Sequence, residues 1–310
     1  MNLFELFVKI GVDDQASDKI SDLSSKLSNG LKTAAKIGAA AVGVAATGIA
    51  ALTKSAVENY AEYEQLVGGV ETLFKDSAGV VQEYAANAYK TAGLSANEYM
   101  ETVTSFSASL LQSLGEDTEL TAEYADRAVT DMSDNANKMG TSMEMIQNAY
   151  QGFAKQNYTM LDNLKLGYGG TKTEMERLIS DASQMTDIQN KLNVSVNEGD
   201  LSFSNIVNAI SVMQDSLGIA GTTATEASTT IEGSANAMKA SWQNLVTGMG
   251  SDNANLDELI TQFVNSATTF ASNLTPVIEQ SLLGVSQLIE GLLPVIQEMI
   301  PSFITVVSVV

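Results

Sequence analysis

The first proline of this chain is Pro276, and the other two, Pro294 and Pro301, follow in the same C-terminal stretch. Proline removes a backbone donor and crowds the turn before it, so a chain without it up to residue 275 can build helix after helix. It is also short of bulk: hydrophobic residues make up 45% of the 310, but aromatic residues only 6%, and small and polar residues fill much of the rest. That combination suits helices packed through thin apolar seams better than a thick mixed core. The predicted fold class is all-α.

One exception is predicted at the start. Phe4, Leu6, Val8, Ile10 and Val12 alternate in "LFELFVKIGV", the period of a half-buried strand. Beyond "DDQAS", Ile20, Leu23, Leu27 and Leu31 fall at steps of three and four, a helical seam one side chain wide. Next comes "KIGAAAVGVAATGIAALTK", residues 36–54, uncharged between its two lysines. Its bulk is limited to Ile37, Val42, Val44, Ile49 and Leu52. At ~1.5 Å per residue it falls slightly short of a ~30 Å hydrocarbon core, so it is a marginal candidate for a membrane-inserting segment. Its small residues equally permit close helix packing.

From residue 56 to 250 the chain is punctuated as a series of helices that suits a compact bundle. Ser95 with Glu98, Thr141 with Glu144, Thr173 with Glu176, Thr223 with Glu226 and Asn255 with Glu258 have the spacing of capping boxes. Gly93, Gly115, Gly140, Gly218 and Gly250 each follow a helical pattern and suit a left-handed C-terminal residue. Between these marks run the seams: Leu120, Tyr124, Ala128, Met132, Ala136 and Met139, then Ile146, Tyr150 and Phe153. Residues 251–310 change character and become apolar-rich, with Pro276 and Pro294 eighteen residues, or five helical turns, apart. The prolines are expected to kink this rod or divide it. The uncapped ending "FITVVSVV" suggests a longer natural chain. Three regions are therefore expected: 1–55, 56–250 and 251–310.

Formal charge is −21, and no Lys or Arg follows Lys239. Such a surface repels phosphate, so no specific nucleic-acid binding is expected. The chain has no Cys and no His, which removes disulfides, thiolate chemistry and the commonest general base and metal ligand. "LKLGYGGTKTEMERL" at 164–178 lacks the order of a phosphate loop, because Thr171 precedes Lys172. "DMSDNANKMGTSME" at 131–144 spaces its acids like a calcium loop, but Ala136 replaces the turn glycine and Ser142 the closing acid. A solvated helical face is the expectation there. No catalytic residue, cofactor or metal site is assigned. Trp242 and the thirteen methionines are read as packing residues.

Residues 60–182, opening "YAEYEQLVGGVETLFKDSAGVVQEYAANAYK", resemble the core region of tail tape measure proteins from long-tailed phages and prophages of Gram-positive bacteria. Residues 227–280, opening "ASTTIEGSANAMKASWQNLVTGMG", are similar to the segment that follows it in that family. The resemblance implies a structural protein and no enzyme. Several copies would lie in the tail-tube lumen and set tail length, after assembly in the host cytoplasm with tube protein, assembly chaperones and baseplate or distal tail proteins. Ejection at infection would bring the chain transiently to the host membrane to help DNA cross. A secreted helical pore former is the alternative, with residues 37–53 as its insert.

Overall fold

The structure, a computed structural model, describes residues 46–307, with side-chain surroundings given for 54–281. The expected strand, the seam through Ile20, Leu23, Leu27 and Leu31, and Ile37, Val42 and Val44 lie outside the described residues. Ile49 and Leu52 fall in the first helix, where only the backbone is described.

The described residues are mostly helical and contain no strand. In chain order the helices are α1 (Ala46–Phe74), α2 (Ala78–Thr91), α3 (Ala96–Ser113), α4 (Thr118–Met139), α5 (Met143–Ala154), α6 (Lys172–Ser183), α7 (Thr186–Leu192), α8 (Phe203–Ser216), α9 (Thr222–Thr229), α10 (Ile231–Met249) and α11 (Leu256–Val307). Short 3-10 turns occupy Lys75–Ser77 and Leu161–Leu164.

Several of these ends follow from local chemistry. Ser95 and Glu98 close a reciprocal capping box on α3. The Asn255 amide oxygen accepts from the Glu258 amide, while Asn255 Nδ2 donates to the Glu258 carboxylate. Elsewhere the cap shifts from its expected position. Ser142, not Thr141, caps α5, because the Thr141 hydroxyl is drawn away to donate to the Asn163 carbonyl. Thr171 caps α6, and Glu174 accepts from the Gly169 amide. Gly93, Gly115, Gly140 and Gly218 take the left-handed conformation. Gly250 does not, with φ −80°. It has to be glycine for a different reason: a Cβ there would lie 2.5 Å from Tyr60 Cβ and 2.8 Å from the Ala56 carbonyl oxygen.

The main core draws on α1 to α6 and α8, with Phe74, Val103, Phe106, Val129, Ile146, Leu178 and Ile210 among its buried side chains. Its axis is α8, in which every residue from Phe203 to Gln214 is buried. A second, separate cluster joins α10 to the start of α11 through Met238, Leu245, Ile260, Phe263 and Ala267. Trp242 packs there on Phe263, ring centroids 5.1 Å apart.

Helix α11 runs through all three prolines without a break, so the expected division of the rod does not occur. Each proline withdraws a single amide donor from the ladder. Around Pro276 hydroxyls tie the preceding turns, Thr275 Oγ1 donating to the Ala271 carbonyl and Ser272 Oγ to that of Thr268. Residues 275–281 are exposed on every side of the helix, so α11 has left the bundle by that point.

Candidate functional site

The feature that sets this bundle apart is polar and lies inside it. Helix α8 reads "FSNIVNAISVMQDS", an apolar run carrying Ser204, Asn208 and Ser211 at steps of four and three. That spacing aligns them on one helical face. Because α8 is enclosed, these side chains must find partners within the protein or forfeit the hydrogen bonds water gave them.

Helix α4 supplies most of those partners. Arg127 donates from Nη1 to the Asn208 amide oxygen at 3.0 Å and from Nη2 to Glu123 at 3.1 Å, with its guanidinium over the Tyr124 ring. Asn208 Nδ2 donates to the Tyr124 hydroxyl and to the Ser195 carbonyl, both at 3.0 Å. One turn on, Ser211 Oγ donates to Asp131 Oδ2. Asp134 accepts from the Gly221 amide at 2.6 Å and the Thr223 amide at 2.8 Å. Its carboxylate therefore caps α9, where a negative charge meets free N–H groups and the positive end of the helix. This is why Thr223 and Glu226 do not form the expected capping box: the acid arrives from α4. Asn135 completes the row, its Nδ2 donating to the Leu164 carbonyl at 2.9 Å.

Residues 131–135 are all buried, more than one full turn of α4. The expected solvated face of "DMSDNANKMGTSME" is thus wrong in its first half, because α8, α9 and the 161–164 turn wrap around it. Burial raises the Asp131 carboxyl to about 7, with the nearby charges of Asp134 and Asp126 adding to the rise and the Ser211 hydrogen bond and Arg127 opposing it. Asp134 is raised as well, chiefly by burial, although the amides of Thr223 and Gly221 hold it down. The Tyr150 hydroxyl, raised far above its ordinary value by burial and by Asp131, faces the same layer from α5. Several atoms here have no hydrogen-bond partner among the described residues: both amide atoms of Gln214, Tyr150 Oη, Asn135 Oδ1 and Ser133 Oγ. Asp131, Ser133, Asp134, Asn135, Ser211 and Gln214 of this layer are buried, with Arg127 and Tyr124 at its edge.

Of the seam residues expected from sequence, Met132, Ile146, Tyr150 and Phe153 are fully buried. Tyr124 is half-buried at the edge of the polar layer. Leu120 is a correction, because it is 36% exposed. A row taken every four residues advances about 40° per step around a helix of 3.6 residues per turn, so a stripe from 120 to 136 cannot stay on one face. The buried face of α4 instead runs through Ala122, Ala125, Val129 and Met132.

The glycine-rich segment at 164–178 folds back on itself. Glu174 occupies the Gly169 amide, Arg177 donates to the Gly167 carbonyl, and the Arg177 guanidinium stacks on Tyr168. Among the described residues no group of three or more acids is placed to hold a metal, and no helix is long and apolar enough to cross a membrane.

The sequence reading missed the contacts between α4 and α8. Their signal was the polar triplet Ser204, Asn208 and Ser211 inside an apolar run, opposite a helix rich in alanine but carrying Asp131, Asp134 and Asn135. Compared with known proteins, the chain matches no family model, no curated protein and no solved structure.

Proposed function

We propose that this chain is a tail tape measure protein of a long-tailed phage or prophage, a structural ruler held in the tail-tube lumen. In this reading several copies lie side by side and tube subunits polymerise around them. Assembly chaperones and baseplate or distal tail proteins engage the chain, and it leaves ahead of the DNA at infection. Residues 37–53 then contact the host membrane. The observation that carries the reading is α11, 52 residues in one helix. At 1.5 Å per residue it spans roughly 78 Å, and its residues 275–281 are exposed on every side. A ruler works through extent and needs no reactive centre. The bundle of α1 to α10 serves in this reading as the compact unit that docks tube or chaperone.

The test is an in-frame deletion of residues 276–293 in the phage. Five helical turns are removed, so tails measured by negative-stain electron microscopy should be shorter by ~27 Å with helical phase kept. Tails of unaltered length would exclude a ruler role for this segment.

A further inference from the structure

The second core cluster has a mechanical consequence. Helix α10 and the first part of α11 pack on each other through their own apolar residues, separately from the main core. Where this pair meets α1, α2 and α3, the buried apolar residues of the two clusters do not join into one. A cleft of about 350 Å³ lies along this seam, walled by Tyr60, Ala85 and Met100 on one side and by Asn244, Thr247 and Leu259 on the other. Void space forfeits dispersion contacts on both walls. The closest approach sets Gly250 against Tyr60 and the Ala56 carbonyl. A polar tie across the seam runs from the Ala96 amide to Asn244 Oδ1 at 2.7 Å, and the same side chain leaves its buried Nδ2 without a partner among the described residues. At the other end Asn273 Nδ2 donates to the Thr230 carbonyl, Ser234 Oγ and the Ser228 carbonyl, which fastens α11 to the start of α10 and the end of α9.

We propose that α10 and the proximal part of α11 form an arm with a core of its own, which parts from α1–α3 along this cleft as a unit, ahead of global unfolding. Sub-global opening of this kind follows wherever one cooperative unit is joined to another by a weaker interface than either has inside. The opening carries the long helix with it and exposes the Tyr60 and Tyr63 face. It holds whether or not the chain is a ruler.

The absence of native cysteine makes the test clean. Single thiols are placed in the full chain at the seam, Ala85→Cys, and in the main core, Ala128→Cys, and labelled with a bulky disulfide reagent under native conditions. Both sites are buried, at 1% and 0% exposure, so each reports an opening. The Ala85→Cys thiol should label roughly tenfold or more faster than the Ala128→Cys thiol. Adding Asn244→Ala should speed the first by about fivefold and leave the second unchanged. Trp242, internal to the arm, should keep its emission throughout. Thr247→Cys on the opposite wall repeats the measurement if Ala85→Cys does not fold. Equal rates at seam and core would overturn the proposal, as would an Asn244→Ala effect shared by both thiols. A Trp242 red shift accompanying labelling would do the same, because the arm would then be unravelling.

Discussion

Replacing Asp131 with asparagine should make this protein more stable at alkaline pH and remove part of its pH dependence. The folded-state carboxyl titrates at about 7, against an ordinary value of 3.8. Between those two values the folded chain holds a proton that the unfolded chain has released. The stabilising contribution is therefore complete below pH 3.8 and is lost as pH rises through 7, the reverse of a salt-bridged carboxylate. A rise of roughly three units corresponds to ~4 kcal/mol over the full window at ~1.4 kcal/mol per unit. The sequence pI near 4.2 makes acid solutions unsuitable, so the useful range is pH 5.5 to 8.5. Over that range the Asp131 contribution falls by about 2 kcal/mol. Asparagine keeps the shape and an acceptor for Ser211 but carries no charge. Urea unfolding followed by circular dichroism at several pH values gives the difference between the two proteins, in which surface repulsion common to both cancels. Asp131→Asn should gain about 2 kcal/mol on the wild type between pH 5.5 and 8.5. A difference that stays flat with pH would refute the reasoning, since it would mean that Asp131 is ionised in the folded protein throughout.

Two further substitutions test the packing. Gly250→Ala should cost about 1–3 kcal/mol in urea unfolding, because the new methyl meets backbone and a Cβ in place of a flexible side-chain end. Gln214→Met should stabilise the bundle by roughly 1 kcal/mol, since it removes two buried polar atoms that have no partner among the described residues while keeping the volume; a loss of stability would show that those atoms are satisfied.

The helical fold was legible because its determinants are local. Pro-free sequence, the Ser95–Glu98 box and the four left-handed glycines specify elements and ends within a few residues of themselves. Where a partner arrives from far along the chain, local pattern misleads. Thr223 looks like a cap until Asp134, 89 residues earlier, takes its amide. Gly250 looks like a helix stop, but what constrains it is Tyr60 across the seam. The buried acids of α4 were read as solvated because charge on a helix usually faces water, a rule that fails where the chain supplies hydroxyls and amides to receive it. The Asp131–Ser211 pair joins residues 80 apart, and no spacing rule within either helix names the other.

The extended helix invites a sharper question than whether it measures length, namely whether its register also matters. In sequence, Ile278, Val285, Leu292 and Met299 recur at seven residues, and Val277 and Ile278 are 50% and 47% exposed where α11 leaves the bundle. A seven-residue repeat keeps an apolar stripe on one side of a gently supercoiled rod and suits neighbours packed alongside it. Deleting 276–293 removes five whole turns, so the helix downstream keeps its phase with the helix upstream. Deleting only 285–293 removes two and a half turns and carries everything downstream to the opposite side. If extent alone is read, the two deletions should shorten tails by ~27 Å and ~14 Å with equal yield. If copies pack through the stripe, both deletions should lower assembly yield, because the longer removes Ile278, Val285 and Leu292 and the shorter removes Val285 and Leu292. Shortened tails from both deletions at wild-type yield would rule out any role for the stripe, and a ruler of the proposed kind would then act through length alone.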